Sequence, residues 1–205
     1  MKSDLLKLAA FALLVMGVET ATFWLQASEN PVFAESTVGQ AMSAFELPDL
    51  DGQKHTLAQY RDKIVVIELC SIGCPYSRGT DTDLIALAQA YAPKGVVVLG
   101  VDSSAINTPA DIKKYATEKG KTYPILKDNE NKYADAVDAK TTPEVFVVDK
   151  NGKLAYRGAF DDRAQPDKKG KTPYVENAVK ALLVGRPVEP KEVKSWGCAI
   201  QRVAK

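Results

Sequence analysis

The sequence predicts an α/β domain in three layers with a mixed central sheet, and three observations lead to this class. Apolar runs of strand length alternate with segments whose apolar residues recur at helical spacing. Two further strands follow, joined by a tight turn. The chain has 205 residues, enough for one well-cored domain and too few for two. The order βαβα followed by ββα places helices on both faces of one sheet.

An extra hairpin is predicted ahead of this unit. Residues 45–47 and 53–56 flank Asp51 and Gly52, a common turn pair of hairpins. Residues 57–60 then predict a single helical turn.

Residues 64–69 and 96–101 are nearly continuous apolar runs, which predicts two central strands buried on both faces. Between them, apolar side chains recur over residues 80–91 at helical spacing, and Gly95 ends that helix.

The second half of the chain predicts shorter elements. Pro109 suits the first position of a helix that Gly120 ends, and an extended piece at 123–126 and a short helix at 133–137 follow. The remaining predicted elements are a hairpin of residues 144–148 and 153–156, a polar loop at 161–172, a helix at 174–183, and a tail from 186 to 205 without clear periodicity.

The N-terminus predicts a targeting segment. Residues 8–18 form an apolar run behind Lys2 and Lys7, too short to span a bilayer and typical of a signal peptide. Cleavage is expected after Ala34, with Ala27 as a weaker site. An uncleaved anchor is the alternative, and only that form would tether the protein to a membrane. We therefore expect export to the periplasm or the extracellular space.

Composition excludes several function classes. Hydrophobic residues make up 45% of the chain, charged residues 26%, and the net charge is +1, which argues against nucleic acid or an anionic membrane surface as the main partner. The single histidine, His55, excludes histidine-rich metal clusters. We expect no bound cofactor.

The most informative segment contains Cys70 and Cys74, with Pro75 directly after the second cysteine. A buried strand ends there and a helix begins, so Cys74 lies among unpaired backbone N–H groups at the positive end of a helix dipole. Both favour the thiolate, the form that attacks disulfides and peroxides and binds metals. Cys70 continues the strand and fits equally well as a small buried side chain. The segment indicates a redox or metal site.

The element order, the strand-Cys-Pro-helix segment and the sequence Thr-Pro-Glu-Val-Phe-Val-Val-Asp from Thr142 resemble the thioredoxin fold. The added hairpin resembles its redoxin branch, the AhpC/TSA-like proteins. The resemblance covers about residues 40–185, so we expect a redoxin domain over residues 35–190. It also extends to the cysteine of the tail, residues 191–205, where Gly197 and Cys198 resemble a C-terminal motif of a bacterial subgroup.

This resemblance implies a thiol-disulfide oxidoreductase in which Cys74 is the nucleophile. Ser77 stands where a CxxC motif has its second cysteine, so the resolving thiol is expected to be Cys198 or Cys70. Cys198 is preferred, because a mobile tail can adopt disulfide geometry that a strand end cannot easily reach. Implied substrates are protein disulfides or small oxidised thiols, with a thiol reductant as a further partner.

The substrate groove of the family is implied to include Pro75, Thr142 and Pro143. The last of these matches the cis-proline of the family, whose preceding backbone pairs with substrate like a strand.

Two alternatives remain open. Cys70 and Cys74 have the ligand spacing of Sco-type copper chaperones, and two soft thiolates suit Cu(I). However, Thr141-Thr142-Pro143 replaces the third ligand, and His55 is expected on an exposed strand. The second alternative is a thiol peroxidase, for which Ile67 replaces the proline and Ser71 the threonine of peroxiredoxins.

Two further charged features are less specific. Glu68 lies in an apolar strand beside the site, where it is either a buried proton carrier or an edge-facing side chain. The segment from Asp161 to Arg163 is expected to be solvated.

Overall fold

The computed structural model describes residues 36–204, and the predicted targeting segment at residues 1–34 lies outside them. No helix among the described residues is long and apolar enough to cross a membrane. The described chain forms the predicted α/β fold: a six-stranded mixed sheet between helices, with an extra two-stranded hairpin before it. The strands are β1 (Glu46–Pro48), β2 (Lys54–Thr56), β3 (Ile64–Cys70), β4 (Val96–Asp102), β5 (Ile125–Lys127), β6 (Thr141–Thr142), β7 (Glu144–Val148), β8 (Leu154–Gly158), β9 (Glu192–Val193) and β10 (Cys198–Ala199); the helices are α1 (Pro75–Tyr91), α2 (Pro109–Lys119), α3 (Lys132–Ala136) and α4 (Tyr174–Leu183).

The central sheet has the strand order β5-β4-β3-β7-β8-β9. Strands β3, β4 and β5 are parallel, whereas β7 is antiparallel to both β3 and β8. β3 therefore lies in the middle of the sheet, and every one of its residues is buried. This position explains its near-continuous apolar sequence.

Alternate residues of β3 contribute to two separate cores. Ile64 and Val66 pack with α1, α2 and α4 on one face, while Val65 and Ile67 face α3 and the N-terminal hairpin. Because side chains alternate across a strand, Glu68 and Cys70 belong to the first face.

Helix α1 begins five residues earlier than its apolar spacing predicts. It starts at Pro75, directly after the cysteine, and continues to Tyr91. The first turn of α1 is polar in sequence, yet Ser77 and Thr80 are both buried against the end of β3. Helical periodicity in apolar residues does not detect a turn buried through polar contacts.

The tail forms two short strands that its sequence does not predict. β9 pairs in parallel with β8 and forms the edge of the central sheet, and β10 pairs antiparallel with β6. Each strand has only two residues, too few for a pattern. The tail thus pairs with the domain twice, through β9 before Cys198 and through β10, which contains Cys198.

Two predictions of exposed side chains are wrong. His55 is buried in the hairpin, where its ring nitrogens bond to Tyr60 and Asp49. Asp161 and Arg163, expected to be solvated, are buried together as an ion pair of 2.8 Å. In both cases a polar group is buried because the fold supplies its partner, which local sequence does not show.

Candidate active site

Cys74 occupies the N-cap position of α1, as the sequence predicts. Its backbone is extended, its N–H donates to the Ser71 carbonyl oxygen at 3.0 Å, and its own carbonyl oxygen accepts from the Arg78 N–H. Pro75 takes the first helical position, where its missing N–H costs nothing. The side chain of Cys74 is therefore held at the positive end of a 17-residue helix.

The tail brings a second sulfur to this position. Cys74 Sγ lies 2.8 Å from Cys198 Sγ and 2.9 Å from the carbonyl oxygen of Thr142. Both cysteines are free thiols, and Cys74 is only 3% exposed, whereas Cys198 is partly accessible. The two sulfurs are close enough for a disulfide to form with little movement of either segment.

The surroundings of the two thiols favour opposite protonation states. Burial alone would raise the pKa of Cys74, but hydrogen bonds from the Cys198 thiol and the Ser77 backbone N–H outweigh it, and the pKa falls below its ordinary value. The pKa of Cys198 is raised, by burial and by the hydrogen bond and charge of Cys74. Within the pair, Cys74 is therefore the thiol that ionises more readily, and Cys198 is the one that keeps its proton to higher pH.

The Thr142–Pro143 peptide bond is cis, as the resemblance implied. Thr142 is paired with Cys198 in the short ladder between β6 and β10. The residue before the cis-proline thus faces the tail cysteine and touches Cys74 as well. Three residues that the sequence predicts for the site, Cys74, Thr142 and Cys198, therefore lie together.

A cavity of about 150 Å³ opens beside the two sulfurs. Its wall comes from the loop after β3, from the loop after β4 and from the tail. The lining residues are Ser71, Gly73, Cys74, Ser104, Thr142, Cys198, Ala199, Ile200 and Gln201.

Cys70 does not line this cavity. It is buried at the end of β3 on the α1 side, where it lines a separate small cavity with Asp81 and Lys121. Burial and the charge of Glu68 raise the pKa of Cys70 well above its ordinary value. The structure therefore separates Cys70 from the pair formed by Cys74 and Cys198 and places it in an environment that keeps it a thiol.

Glu68 is fully buried in the centre of the sheet, which excludes the edge-facing alternative. Its Oε1 accepts the Thr80 hydroxyl at 2.9 Å, while Oε2 has no protein partner. Burial raises the pKa of Glu68 to about 7, although the positive charge of Lys121 opposes this rise. Thr80 links the carboxyl to the first turn of α1, because its hydroxyl also contacts the Ser77 carbonyl oxygen.

No group of three or more His, Cys, Asp or Glu side chains within residues 36–204 is arranged to hold a metal ion. His55, the only histidine, is engaged with Asp49 and Tyr60 in the hairpin. The third ligand that a Sco-type copper site requires is therefore not supplied by His55.

Three side chains meet around the tail, and the sequence indicates a role at the tail for only one of them, Trp196, which is expected either to shield the tail thiol or to dock the tail. Trp196 donates its indole N–H to the Asp161 carbonyl oxygen at 2.7 Å, and its ring lies 5.4 Å from the ring of Tyr76. Arg163 lies 5.6 Å from the Trp196 ring. The one available signal was the position of Trp196, two residues before a cysteine in a chain with few of either residue.

Comparison with known proteins agrees with the fold and with the class of enzyme that the resemblance implies. The sequence profile of the AhpC/TSA family matches residues 38–157. The thiol-disulfide oxidoreductase ResA of Geobacillus thermodenitrificans is 31% identical over 126 residues, which cover 60% of this chain and 71% of ResA.

Two solved structures extend the similarity to most of the chain. A hypothetical protein from Sinorhizobium meliloti is 30% identical, with a TM-score of 0.78 over 84% of this chain and 98% of its own. An uncharacterized conserved protein from Geobacillus kaustophilus is 32% identical, with a TM-score of 0.76 over 83% of this chain and 94% of its own.

Proposed function

This chain belongs to the AhpC/TSA family and is a thiol-disulfide oxidoreductase, and from that premise we propose that Cys74 is its nucleophile and Cys198 its resolving thiol. The proposal rests on one observation above all, the 2.8 Å distance between the two sulfurs. The lowered pKa of Cys74 supports its role as the attacking thiolate.

The proposed cycle has two exchange steps. The Cys74 thiolate attacks one sulfur of a substrate disulfide, a Cys74–substrate disulfide forms, and the other substrate sulfur leaves as a thiolate. The Cys198 thiol then loses its proton and attacks Cys74 Sγ, which releases the second substrate thiolate. The substrate gains two electrons and two protons, and the protein is left with a Cys74–Cys198 disulfide. A thiol reductant restores the dithiol form.

Cys198 is preferred over Cys70 as the resolving residue. Attack requires a sulfur within reach of Cys74, and Cys198 satisfies this, whereas Cys70 faces a separate buried cavity. Thr142 contacts the sulfur of Cys74, Pro75 follows Cys74 at the start of α1, and Pro143 follows Thr142 across the cis bond. We infer that these three residues shape the substrate groove.

Substitution of each cysteine tests these roles. With an insulin-type disulfide as substrate and a dithiol as reductant, Cys74→Ser is expected to abolish turnover. Cys198→Ser is expected to accumulate a mixed disulfide on Cys74, detected by mass under non-reducing conditions. Cys70→Ser is the matched control.

The assignment is wrong if Cys74→Ser retains turnover, or if Cys70→Ser rather than Cys198→Ser traps the mixed disulfide. Hydrogen peroxide consumption with a thiol donor tests the peroxidase alternative on the same variants. Anaerobic Cu(I) titration tests the copper alternative, since a tight complex lost in both Cys70→Ser and Cys74→Ser would support it.

We also propose that the protein is exported. The apolar run at residues 8–18 behind two lysines supports this. The mass of the protein isolated from its native host is expected to correspond to a chain that begins after Ala34, and a full-length mass would favour the anchor.

A further inference from the structure

The tail lies in the active-site groove in the way that a bound peptide would. β10 adds to β6 as an antiparallel strand, with Cys198 opposite Thr142 and its sulfur against Cys74. Two residues further on, the Ile200 N–H donates to the Lys140 carbonyl oxygen at 3.2 Å. In binding by strand addition the main chain supplies the hydrogen bonds, and the fit of alternate side chains determines which sequences bind.

Trp196, two positions before Cys198, lies in a site formed by residues of the domain. Trp196 stacks obliquely on Tyr76 and donates its indole N–H to the Asp161 carbonyl oxygen at 2.7 Å. Arg163 lies against the same ring and is itself buried, with its guanidinium held by the carboxylates of Asp161 and Asp83. An aromatic ring beside a cation and an oriented carbonyl acceptor suits an indole side chain.

The position directly before Cys198 accepts only glycine. Gly197 has a φ of +139°, and a Cβ atom there would lie 2.1 Å from the backbone oxygen of Thr142. Any other residue would collide with the main chain of the strand that pairs with the tail.

The position two after Cys198 takes an aliphatic side chain, because Ile200 is buried in the core below the groove. Ala199, between Cys198 and Ile200, is exposed.

We propose that residues 196–200 are the chain's own copy of its protein substrate, and that the groove binds partners presenting an extended Trp-Gly-Cys-x-aliphatic segment. This inference rests on the proposed function, because the partner's cysteine must reach Cys74. A partner enters only when the tail leaves. The returning tail then expels the partner as Cys198 resolves the mixed disulfide, since both need the same strand position.

The test uses the full-length Cys198→Ser chain and a peptide with the sequence of residues 194–203. The peptide cysteine carries a thionitrobenzoate group in disulfide linkage. Attack of the Cys74 thiolate on the peptide sulfur forms a Cys74–peptide disulfide and releases the coloured thionitrobenzoate anion, which reports the rate. Peptides with alanine in place of tryptophan or glycine are compared with one in which the lysine equivalent to the exposed Lys194 is replaced.

We expect the tryptophan and glycine replacements to react at least about tenfold more slowly, while the lysine replacement leaves the rate unchanged. Equal rates for all peptides overturn the recognition proposal and leave Cys74 as the nucleophile. A Cys74 that also fails to react with a small aromatic disulfide overturns the proposed function itself.

A second variant tests whether the tail competes for the groove. A tethered tail competes at an effective concentration on the order of millimolar. Trp196→Ala combined with Cys198→Ser is expected to accelerate the reaction of the native peptide several-fold, whereas Lys194→Ala combined with Cys198→Ser is not. No acceleration would show that the tail does not compete with the peptide for the groove. Concentration-dependent pairing of two chains through their tails would show that each tail binds the groove of another copy. Either result would overturn the proposal that the tail occupies its own groove.

Discussion

Glu68 is a carboxyl group buried inside the sheet close to the reactive helix turn. One oxygen has a single hydroxyl partner and the other has none, so ionisation would leave a charge without full compensation. The Lys121 side chain is only 5% exposed, but its Nζ lies 2.6 Å from Asp81 Oδ1 and shares its charge with that carboxylate. The group is therefore poised to hold or release a proton near neutral pH.

Glu68→Gln is expected to stabilise the protein at pH 8 by about 3 kcal/mol more than at pH 4. The pKa of Glu68 is about 7 in the folded protein, above the ordinary value of 4.5. Below pH 4.5 the carboxyl is protonated in both the folded and unfolded states, so burial costs nothing extra. As pH rises to 7 the unfolded state ionises first, stability is lost, and glutamine avoids that loss.

Urea unfolding at several pH values measures this difference. Glu118→Gln, at an exposed position of α2, is the matched control for the loss of a carboxylate. A constant effect of Glu68→Gln across this pH range would contradict the assignment.

At the scale of elements, the loop between β8 and α4 supports the tail. Arg163 ties this loop to α1 through Asp83 and the Gly79 carbonyl oxygen, and Asp161 in the same loop accepts the Trp196 indole N–H at its backbone. The sequence shows only a polar loop rich in charges. In the structure this loop connects α1, which begins directly after Cys74, to the tail segment that leads to Cys198.

Arg163→Ala is expected to destabilise the protein by about 3 kcal/mol, because it leaves the Asp161 carboxylate buried without its ion-pair partner. Denaturant unfolding measures the change. Lys169→Ala is the matched control: Lys169 also pairs with Asp83, but its side chain is 70% exposed, so the cost should stay within about 0.5 kcal/mol. Equal effects of the two substitutions would show that the buried pair is not what holds the loop.

At the scale of the whole molecule, a Cys74–Cys198 disulfide would connect segments that are 124 residues apart in sequence. The tail would then be tied to the start of α1, the helix that follows the central strand β3. A cross-link of this span removes much of the conformational freedom of the unfolded chain.

The oxidised protein is therefore expected to unfold with a free energy up to about 4 kcal/mol greater than the dithiol form. Chemical denaturation with and without a reductant measures the difference. Cys70→Ser should keep the redox dependence and Cys198→Ser should lose it. A dependence that survives in Cys198→Ser would point to another cysteine pair.

Several elements of this fold can be predicted from the sequence alone. The apolar runs of β3 and β4, the hairpin turn before β8 and the cysteine-proline pair at the start of α1 are local patterns, and the structure forms those elements close to where they are predicted. The motif and its position between strand and helix indicate a redox or metal site, and the resemblance to the redoxin branch implies the class of enzyme.

The sequence favours Cys198 over Cys70 as the partner of Cys74, but the contact itself is visible only in the tertiary structure. Cys70 is four residues away and Cys198 is 124 residues away, yet the distant one is in contact. The alternation of side chains along β3 and burial beneath α1 turn Cys70 inward, while two-residue strands too short to leave a pattern carry Cys198 into the groove. Sequence records what each segment prefers locally, whereas contact between segments depends on how the whole chain packs.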